Sequence, residues 1–590
     1  ASRRQGMDHS HPIYTEIVEC QDCYKCVRGC LSKAIRVQDG HASIIKELCT
    51  ACGHCVAICP AKAKKVRNDV KRAENLLQRK ARVIASVAPS WAAEFPDMDS
   101  SVLISAIKAL GFYGVSETAL GAQEVSARLI DDLNASKAAL SISSACPAVV
   151  EYISKYMPAY KKNVTAITSP LLAHTRILRK EYGNDIGIVF FGPCTAKKLE
   201  ADRNKDMLDL ALTFHELKEW LSAKEIKLPA SPENSGESFI PWPAHEGSVY
   251  PIEGGMNETL TGWLDRNKTE TFSVSGLDGL RYYLENFESS SLEKNIFLEA
   301  LACKGGCING PCRSEASTGL NDRLRVRKRV IYPEKDQKRT PCVSTDLPLP
   351  YLLPARQDSS SKSELTLALA KIGKTSPSDE LNCGGCGYDT CRLFAEALIN
   401  KKAETAMCAS FMKKQAQKKA NALLRCMPSA AVIIDSGLRV IECNRHFAEM
   451  FGEETLQIYK VLSTLNGVYI EKILPFANLF KTALRTGDDI SRENFKSDGK
   501  LLNISIFTIE PQQTVGAIIQ DATSIEAKRE AIASKANEVL RKNLNIVQGI
   551  AKLLGEHMAD TEIILRSIAK GFTNDEAQPV LIKQQGPQEK

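Results

Sequence analysis

The chain of 590 residues is too long for a single domain, and with 44% apolar residues it can bury several cores. Its formal charge of +7 is mild at this length and makes no strong case for a nucleic-acid partner. No run reaches the roughly eighteen uninterrupted apolar residues of a membrane span, and no apolar signal core stands near the start, where residues 1–6 read as an expression remnant before Met7.

Twenty cysteines would make a disulfide framework in a small secreted protein. Here they cluster at metal-ligand spacings, which points to a reducing cytoplasm. Residues 14–66 hold two such runs, Cys20, Cys23, Cys26, Cys30 and then Cys49, Cys52, Cys55, Cys59, the second followed by Pro60. This is the bacterial two-cluster ferredoxin pattern, in which the fourth cysteine of each run ligates the other cluster. One 4Fe-4S cubane is therefore expected on Cys20, Cys23, Cys26 and Cys59, the other on Cys49, Cys52, Cys55 and Cys30. Leu31 stands where proline is usual. Structural zinc is the alternative occupant; spacing and doubling both favour clusters and an electron wire.

Residues 67–80 read as a charged helical connector. Beyond it, four apolar runs read as buried strands. Residues 82–88 end in Pro89-Ser90-Trp91, residues 138–144 in Ala145-Cys146-Pro147, and residues 187–191 in Gly192-Pro193-Cys194 with Lys197 close behind. Residues 296–302 end in Cys303 and Cys307 with Gly305 and Gly306 between them, glycines that permit positive φ and close approach to a bulky group. Helical stretches such as residues 101–110 and 171–182 alternate with the runs, so a mixed, helix-covered sheet is expected. Sites in α/β sheets form at the carboxyl ends of strands. Cys146, Cys194, Cys303 and Cys307 can thus converge, and four thiolates are what a cubane needs. Residues 234–255, rich in Pro, Gly and Ser, read as a surface excursion. His174 and His215 read as packing or capping residues rather than ligands.

These residues meet a family. A-C-P at 145–147, G-P-C-T-A-K-K-L-E at 192–200 and E-A-L-A-C-K-G-G-C-I-N-G at 299–310 resemble the three signature motifs of FeFe-hydrogenases, over roughly residues 80–315. The resemblance implies an H-cluster whose cubane is held by Cys146, Cys194, Cys303 and Cys307. Cys307 would also bridge to a two-iron subsite carrying CO, cyanide and azadithiolate. It places on Lys197 the family lysine that hydrogen-bonds a cyanide, and on Pro89 and Ser90 the A-P-S motif. Four positions depart from it. Ala145 stands where active members carry a proton-relaying thiol. Gly192 and Leu301 replace methionines, and Ala148-Val149-Val150 lack the usual tryptophan. Such departures, with appended signalling modules, resemble the proposed sensory class of the family.

Residues 316–380, with a basic run at 323–329 and a polar, Ser-rich run at 357–364, read as a linker that crosses another domain's surface, the basic run being solvated. Residues 381–409 carry Cys383, Cys386, Cys391 and Cys408, with Gly384, Gly385 and Gly387 freeing the backbone; C-G-G-C-G-Y-D-T-C resembles a small 4Fe-4S domain of redox and corrinoid proteins. Zinc remains the alternative here. Cys312, Cys342, Cys426 and Cys443 are left as ordinary thiols.

After a basic connector, residues 430–443 form two apolar runs around Asp435-Ser436-Gly437, a hairpin signal. Asn444 can cap a helix through Met450, closed by Gly452. Residues 501–509 and 515–519 make another strand pair, and the order over residues 424–523 resembles a PAS domain, with no haem or flavin ligand assigned. His446 reads as a surface helix residue. Ile525, Ile532, Val539, Ile546 and Leu553 recur every seven residues, a coiled-coil row that makes residues 524–572 a candidate parallel dimer seam, packing on the PAS domain being the alternative. Residues 573–590 read as a disordered tail.

The fold class expected is therefore multidomain α/β and α+β: a two-cluster ferredoxin-like domain, an H-cluster α/β domain, a small cysteine-rich 4Fe-4S domain, a PAS domain and a dimerising helix. The function expected is a cytoplasmic, sensory FeFe-hydrogenase that binds or slowly and reversibly oxidises H2 to protons and electrons. Redox state would reach a PAS and coiled-coil output acting on a partner in trans, a kinase or phosphatase being one kind. Separate maturases would supply the two-iron subsite. The alternatives are a metabolic hydrogenase and a cubane-only electron-transfer or Fe-S protein.

Overall fold

The computed structural model describes residues 11–226, 237–288, 292–313, 319–332, 339–346, 354, 361–462, 464–523 and 539–543. The dimerising helix expected over 524–572 lies outside these residues apart from 539–543, and so does the tail at 573–590. Among the described residues no helix is long and apolar enough to cross a membrane. Two compact units divide the chain, residues 1–412 and 413–590.

The first unit opens with β1 (Ile13–Thr15), β2 (Ile35–Gln38), β3 (His41–Ile44) and β4 (Lys64–Val66). They form two short antiparallel pairs, β1 with β4 and β2 with β3. The cysteine runs occupy the turns and one-turn helices between them. Helix Val70–Arg79 buries Ala73 against the next domain.

That domain holds seven strands, β5 (Val83–Val87), β6 (Gly114–Glu117), β7 (Leu140–Ile142), β8 (Gly187–Gly192), β9 (Leu210–Thr213), β10 (Thr269–Ser275) and β11 (Asn295–Leu301). They form two sheets, ordered β6-β5-β8-β9 and β10-β11-β7, and every pairing is parallel. The mixed sheet expected from sequence is corrected. Connections that contain a helix, such as Ser100–Ala109 between β5 and β6, carry the chain back to the end of the sheet where the previous strand began, which makes the strands parallel. β5 and β8 are buried along their whole length, as parallel strands covered on both faces are.

Two other expectations change. Residues 237–255 are not a surface excursion: Phe239, Ala244, Val249 and Ile252 are buried, and Gly247 packs so closely that a Cβ would stand 2.2 Å from the Ala119 carbonyl oxygen. The small residues that read as loop are needed for backbone to lie on a helix. The basic run at 323–329, expected to be solvated, instead lies on another domain's surface, the kind of crossing expected of the segment that holds it. Helix Leu320–Lys328 buries Val326 and Asp322, Arg327 pairs with Glu258 at 2.6 Å, and the Arg329 guanidinium stacks 4.3 Å from the Trp91 ring. The basic run is thus ion-paired on the seven-stranded domain. Helix Lys362–Lys371 is closed by a capping box of Ser361 and Glu364 and buries Ala368 and Leu369 with the small cysteine-rich segment.

The second unit contains a five-stranded antiparallel sheet in the order β13-β12-β16-β15-β14, built from β12 (Ala430–Asp435), β13 (Val440–Cys443), β14 (Ile490–Ser497), β15 (Lys500–Glu510) and β16 (Thr514–Asp521). Asn444 caps the following helix by accepting from Phe447 N at 3.0 Å. β14 escaped sequence reading because it is an edge strand with Arg492, Glu493 and Lys496, the charged composition that guards free edges.

Candidate metal centre

Three parallel strands deliver the cysteines. β7 leads to Cys146, the residue before helix Pro147–Tyr156, where Pro147 sits in the first turn. β8 leads to Cys194, just ahead of helix Ala196–Arg203. β11 leads to Cys303, and Cys307 opens a single 3-10 turn. Between these two, Gly306 has φ +105°, and a Cβ there would lie 2.3 Å from the Pro251 carbonyl oxygen, so only glycine lets the loop pass.

The four thiols lie within electrostatic reach of one another. Burial pushes Cys194 up to about 11, with Cys146 adding repulsion and Lys197 opposing it. Burial, then Cys194, Cys307 and Cys146, pushes Cys303 well up, and burial with Cys146 and Cys194 does the same for Cys307. Such a buried thiol set ionises only when a cationic centre neutralises it, which is the chemistry of a metal cluster. All twenty cysteines are free of disulfides. The residues therefore fit the cubane. At the end of β5 the Ser90 hydroxyl is buried and has no hydrogen-bond partner among the described residues, an unmet need that a further group in the site can satisfy. Lys197 is mostly buried and pairs with Glu200 at 2.7 Å. Pro89 precedes Ser90 at the same strand end. Ala145 packs beside an apolar cluster containing Tyr250, Met256 and Phe297 and offers only a methyl group.

Glu299 had no role in the sequence reading, although it lies within the third motif. It is buried, and burial pushes its carboxyl up to about 7. It accepts from Met256 N at 3.3 Å, Asn257 N at 3.4 Å and Ser273 Oγ at 3.1 Å, and its charge reaches Cys307. The available signal was a lone carboxylate inside an otherwise apolar strand.

The N-terminal cysteines sort into two sets. Cys26 is raised by burial and then, among thiols, by Cys20, Cys23 and Cys59; Cys55 is raised by burial and then by Cys52, Cys49 and Cys30. The fourth thiol of each run thus stands with the other run's set. The second set abuts the strand-end site. Thr195 Oγ1 donates to the Ala51 carbonyl at 2.6 Å, Lys155 Nζ to that of Cys49 at 2.9 Å, and Cys52 shares an apolar cluster with Cys146 and Cys194. In the small segment Cys386 is raised by burial and then by Cys408 and Cys383, while Asn382 Oδ1 accepts from Cys391 N at 2.8 Å. His174 is fully buried between the hydroxyls of Ser86 at 2.8 Å and Ser116 at 2.7 Å, and His215 is exposed beside Glu219.

Fold and thiol sets together define a protein of iron-sulfur type joined to a module built on a five-stranded antiparallel sheet. Residues 81–311 match the C-terminal domain of the iron only hydrogenase large subunit, 42–65 a 4Fe-4S binding domain, 379–410 an Fe-S cluster family and 419–485 a PAS domain. The chain contains all four. It is 22% identical over 336 residues to iron hydrogenase 1 of Clostridium pasteurianum, covering 47% of this chain and 58% of that protein. The chain thus spans little more than half the length of that relative. It is 23% identical over 402 residues to the NADP-reducing hydrogenase subunit HndD of Solidesulfovibrio fructosivorans, covering 55% of this chain and 68% of that protein. It is also 27% identical over 228 residues to the cytosolic Fe-S cluster assembly factor NAR1 of Encephalitozoon cuniculi, covering 34% of this chain and 61% of that protein.

Proposed function

We propose that the chain is a sensory FeFe-hydrogenase relative that binds H2 or slowly and reversibly oxidises it. The observation that carries this reading is Ala145. The four convergent cysteines, Lys197, Pro89 and Ser90 are retained, while the position of the relay thiol holds a methyl against apolar side chains. Cys146, Cys194, Cys303 and Cys307 would hold the cubane, with Cys307 bridging to the two-iron subsite. Lys197 would donate to a cyanide, and the unpartnered Ser90 hydroxyl would complete the pocket. When bound, that group supplies the splitting of H2 into two protons and two electrons. Glu299, poised near neutrality, can hold a proton close to Cys307. Ala145 cannot pass one on, so turnover is slow and occupancy reports H2 without consuming it.

Electrons would leave through Cys52 and its set, which abuts the site. The redox state would then bias the PAS domain and a homodimeric coiled coil over residues 524–572. The output would act on a partner in trans, such as a kinase or phosphatase, and maturases would supply the two-iron subsite. A cytoplasmic location suits a chain whose twenty cysteines are all free. The likeness to an Fe-S cluster assembly factor favours one rival, a cubane-only protein that never receives the two-iron subsite. Infrared spectroscopy of the matured protein separates them. CO and cyanide bands that respond to H2 support the sensor; their absence after maturation favours the rival.

A further inference from the structure

The small cysteine-rich segment is built into the N-terminal domain. Helix Cys391–Ile399 turns Phe394 and Ala395 into a core shared with Val27, Ile35 and Val37. The same core contains Cys26 from one domain and Cys386 and Cys408 from the other. Main-chain bonds fix the junction: Val37 N donates to the Lys402 carbonyl at 2.9 Å, and the Glu404 carboxylate accepts from Asp39 N at 2.6 Å and Gly40 N at 3.2 Å, clamping the β2–β3 turn. From the other side Lys33 Nζ donates to the Gly387 carbonyl at 2.7 Å and lies 5.7 Å from the centre of the Tyr388 ring. Arg28 donates to the carbonyls of Cys23 at 3.0 Å and Gly385 at 3.4 Å, joining the two cysteine loops directly.

The two loops also approach closely at Gly387. Its φ is +94°, and a Cβ would stand 2.8 Å from Val27 Cγ1. The loop carrying Cys383 and Cys386 therefore lies on helix Lys25–Gly29, which carries Cys26. Tyr388, nearly buried and with its phenol oxygen unpartnered among the described residues, packs in this seam within electrostatic reach of both Cys386 and Cys30.

We propose that residues 382–408 are a built-in electron acceptor for the N-terminal cysteine sets, docked over the Cys26 helix where a diffusing carrier would otherwise bind. The path runs from the strand-end site through Cys52 to the N-terminal sets, across the Gly387–Tyr388 seam, and ends at the Cys383, Cys386, Cys391 and Cys408 set. Helix Ala409–Cys426 begins directly after Cys408 and leads the chain toward the PAS domain. One electron crossing the seam oxidises an N-terminal cubane by one unit and reduces the Cys383 cubane by one. No bond forms or breaks there, and both protons from H2 stay with the hydrogenase-like domain. The inference rests on the reading that these sets hold cubanes.

The test uses the anaerobically reconstituted full-length chain. Iron, sulfide and zinc are quantified, and electron paramagnetic resonance is recorded during reduction by dithionite. The wild type should show spin–spin broadening between the Cys383 cubane and an N-terminal cubane. Gly387→Val pushes a branched side chain into Val27 and should lose that interaction while keeping its full iron. If Gly387→Val instead sheds iron, the pair Lys33→Ala and Glu404→Ala decides, since it removes the lysine donor and both carboxylate acceptors of the seam and leaves the cysteine loop intact. A reduced two-cluster ferredoxin should exchange electrons with the N-terminal sets faster in the undocked variant, because the Cys26 face is freed. Full iron without broadening in the wild type overturns the proposal alone, as does unchanged broadening in both variants. Zinc in the Cys383 set overturns the cubane reading of that set and the proposal with it.

Discussion

Lys197 and Lys198 are neighbours in the second motif and should respond oppositely to mutation. The Lys198 side chain is 0% exposed, with Nζ 2.9 Å from Asp69 Oδ2 and 2.8 Å from Glu216 Oε2. It ties the motif helix to the connector before Val70–Arg79 and to helix Phe214–Ala223. Lys198→Met keeps the apolar stem but leaves two buried carboxylates short of a cation. Removing one partner of a buried ion pair costs about 3–5 kcal/mol. Arg67 at 3.0 Å and Arg72 at 2.7 Å still face Asp69, which argues for the low end. At about 2–4 °C per kcal/mol for a domain of this size, a loss of about 3 kcal/mol lowers Tm by about 6–12 °C. All four tryptophans, Trp91, Trp220, Trp242 and Trp263, lie in the hydrogenase-like domain, so fluorescence-monitored melting of the whole chain reads this domain alone. Adding Glu216→Gln removes one orphaned charge and should recover part of the loss. Lys197→Met loses only the Glu200 pair and should melt closer to the wild type, while shifting the cyanide bands of matured protein. A Lys198→Met Tm within about 2 °C of the wild type, or a double variant no better than the single, would refute the argument.

The remaining predictions are independent of that network. Ala145→Cys should raise H2 turnover at fixed, infrared-checked occupancy, toward the about 10²–10⁴-fold that general acid–base steps supply; a wild type already as fast as ordinary hydrogenases would sink the sensor reading. Metal analysis should find about sixteen irons, four per cubane, and two more after maturation; stoichiometric zinc with iron near twelve would reassign the Cys383 set. Burial pushes His174 down to about 3 from an ordinary 6.5, so the unfolded chain takes up a proton that the native one refuses. Stability is then present above pH 6.5 and lost as pH falls toward 3, by about 1.4 kcal/mol at pH 5.5. His174→Gln should flatten that slope in tryptophan-monitored melts at pH 7 and 5.5. Truncation after Thr523 should weaken the dimer, and an unchanged dimer mass by light scattering would place the seam elsewhere.

What the chain states by itself is whatever neighbouring residues decide together. The spacing of Cys20, Cys23 and Cys26 is dictated by the reach of three thiols to one cluster, and so it is legible without a fold. The apolar runs before Cys194 and Cys303 are legible because a strand covered on both faces has no polar side to hide. The Asn444 cap depends on three consecutive residues of helix start and was readable for the same reason. Tertiary structure alone separated Lys198 from Lys197, since adjacent helix positions point to different sides and only the fold supplies Asp69 and Glu216 for one of them. It alone buried Phe239, Ala244, Val249 and Ile252 and raised the carboxyl of Glu299, because desolvation depends on which surfaces cover a group. It alone set Gly387 against Val27, two residues hundreds of positions apart. Neither stretch names the other, and their shared core exists only once two apolar faces, each too small to close on itself, have met.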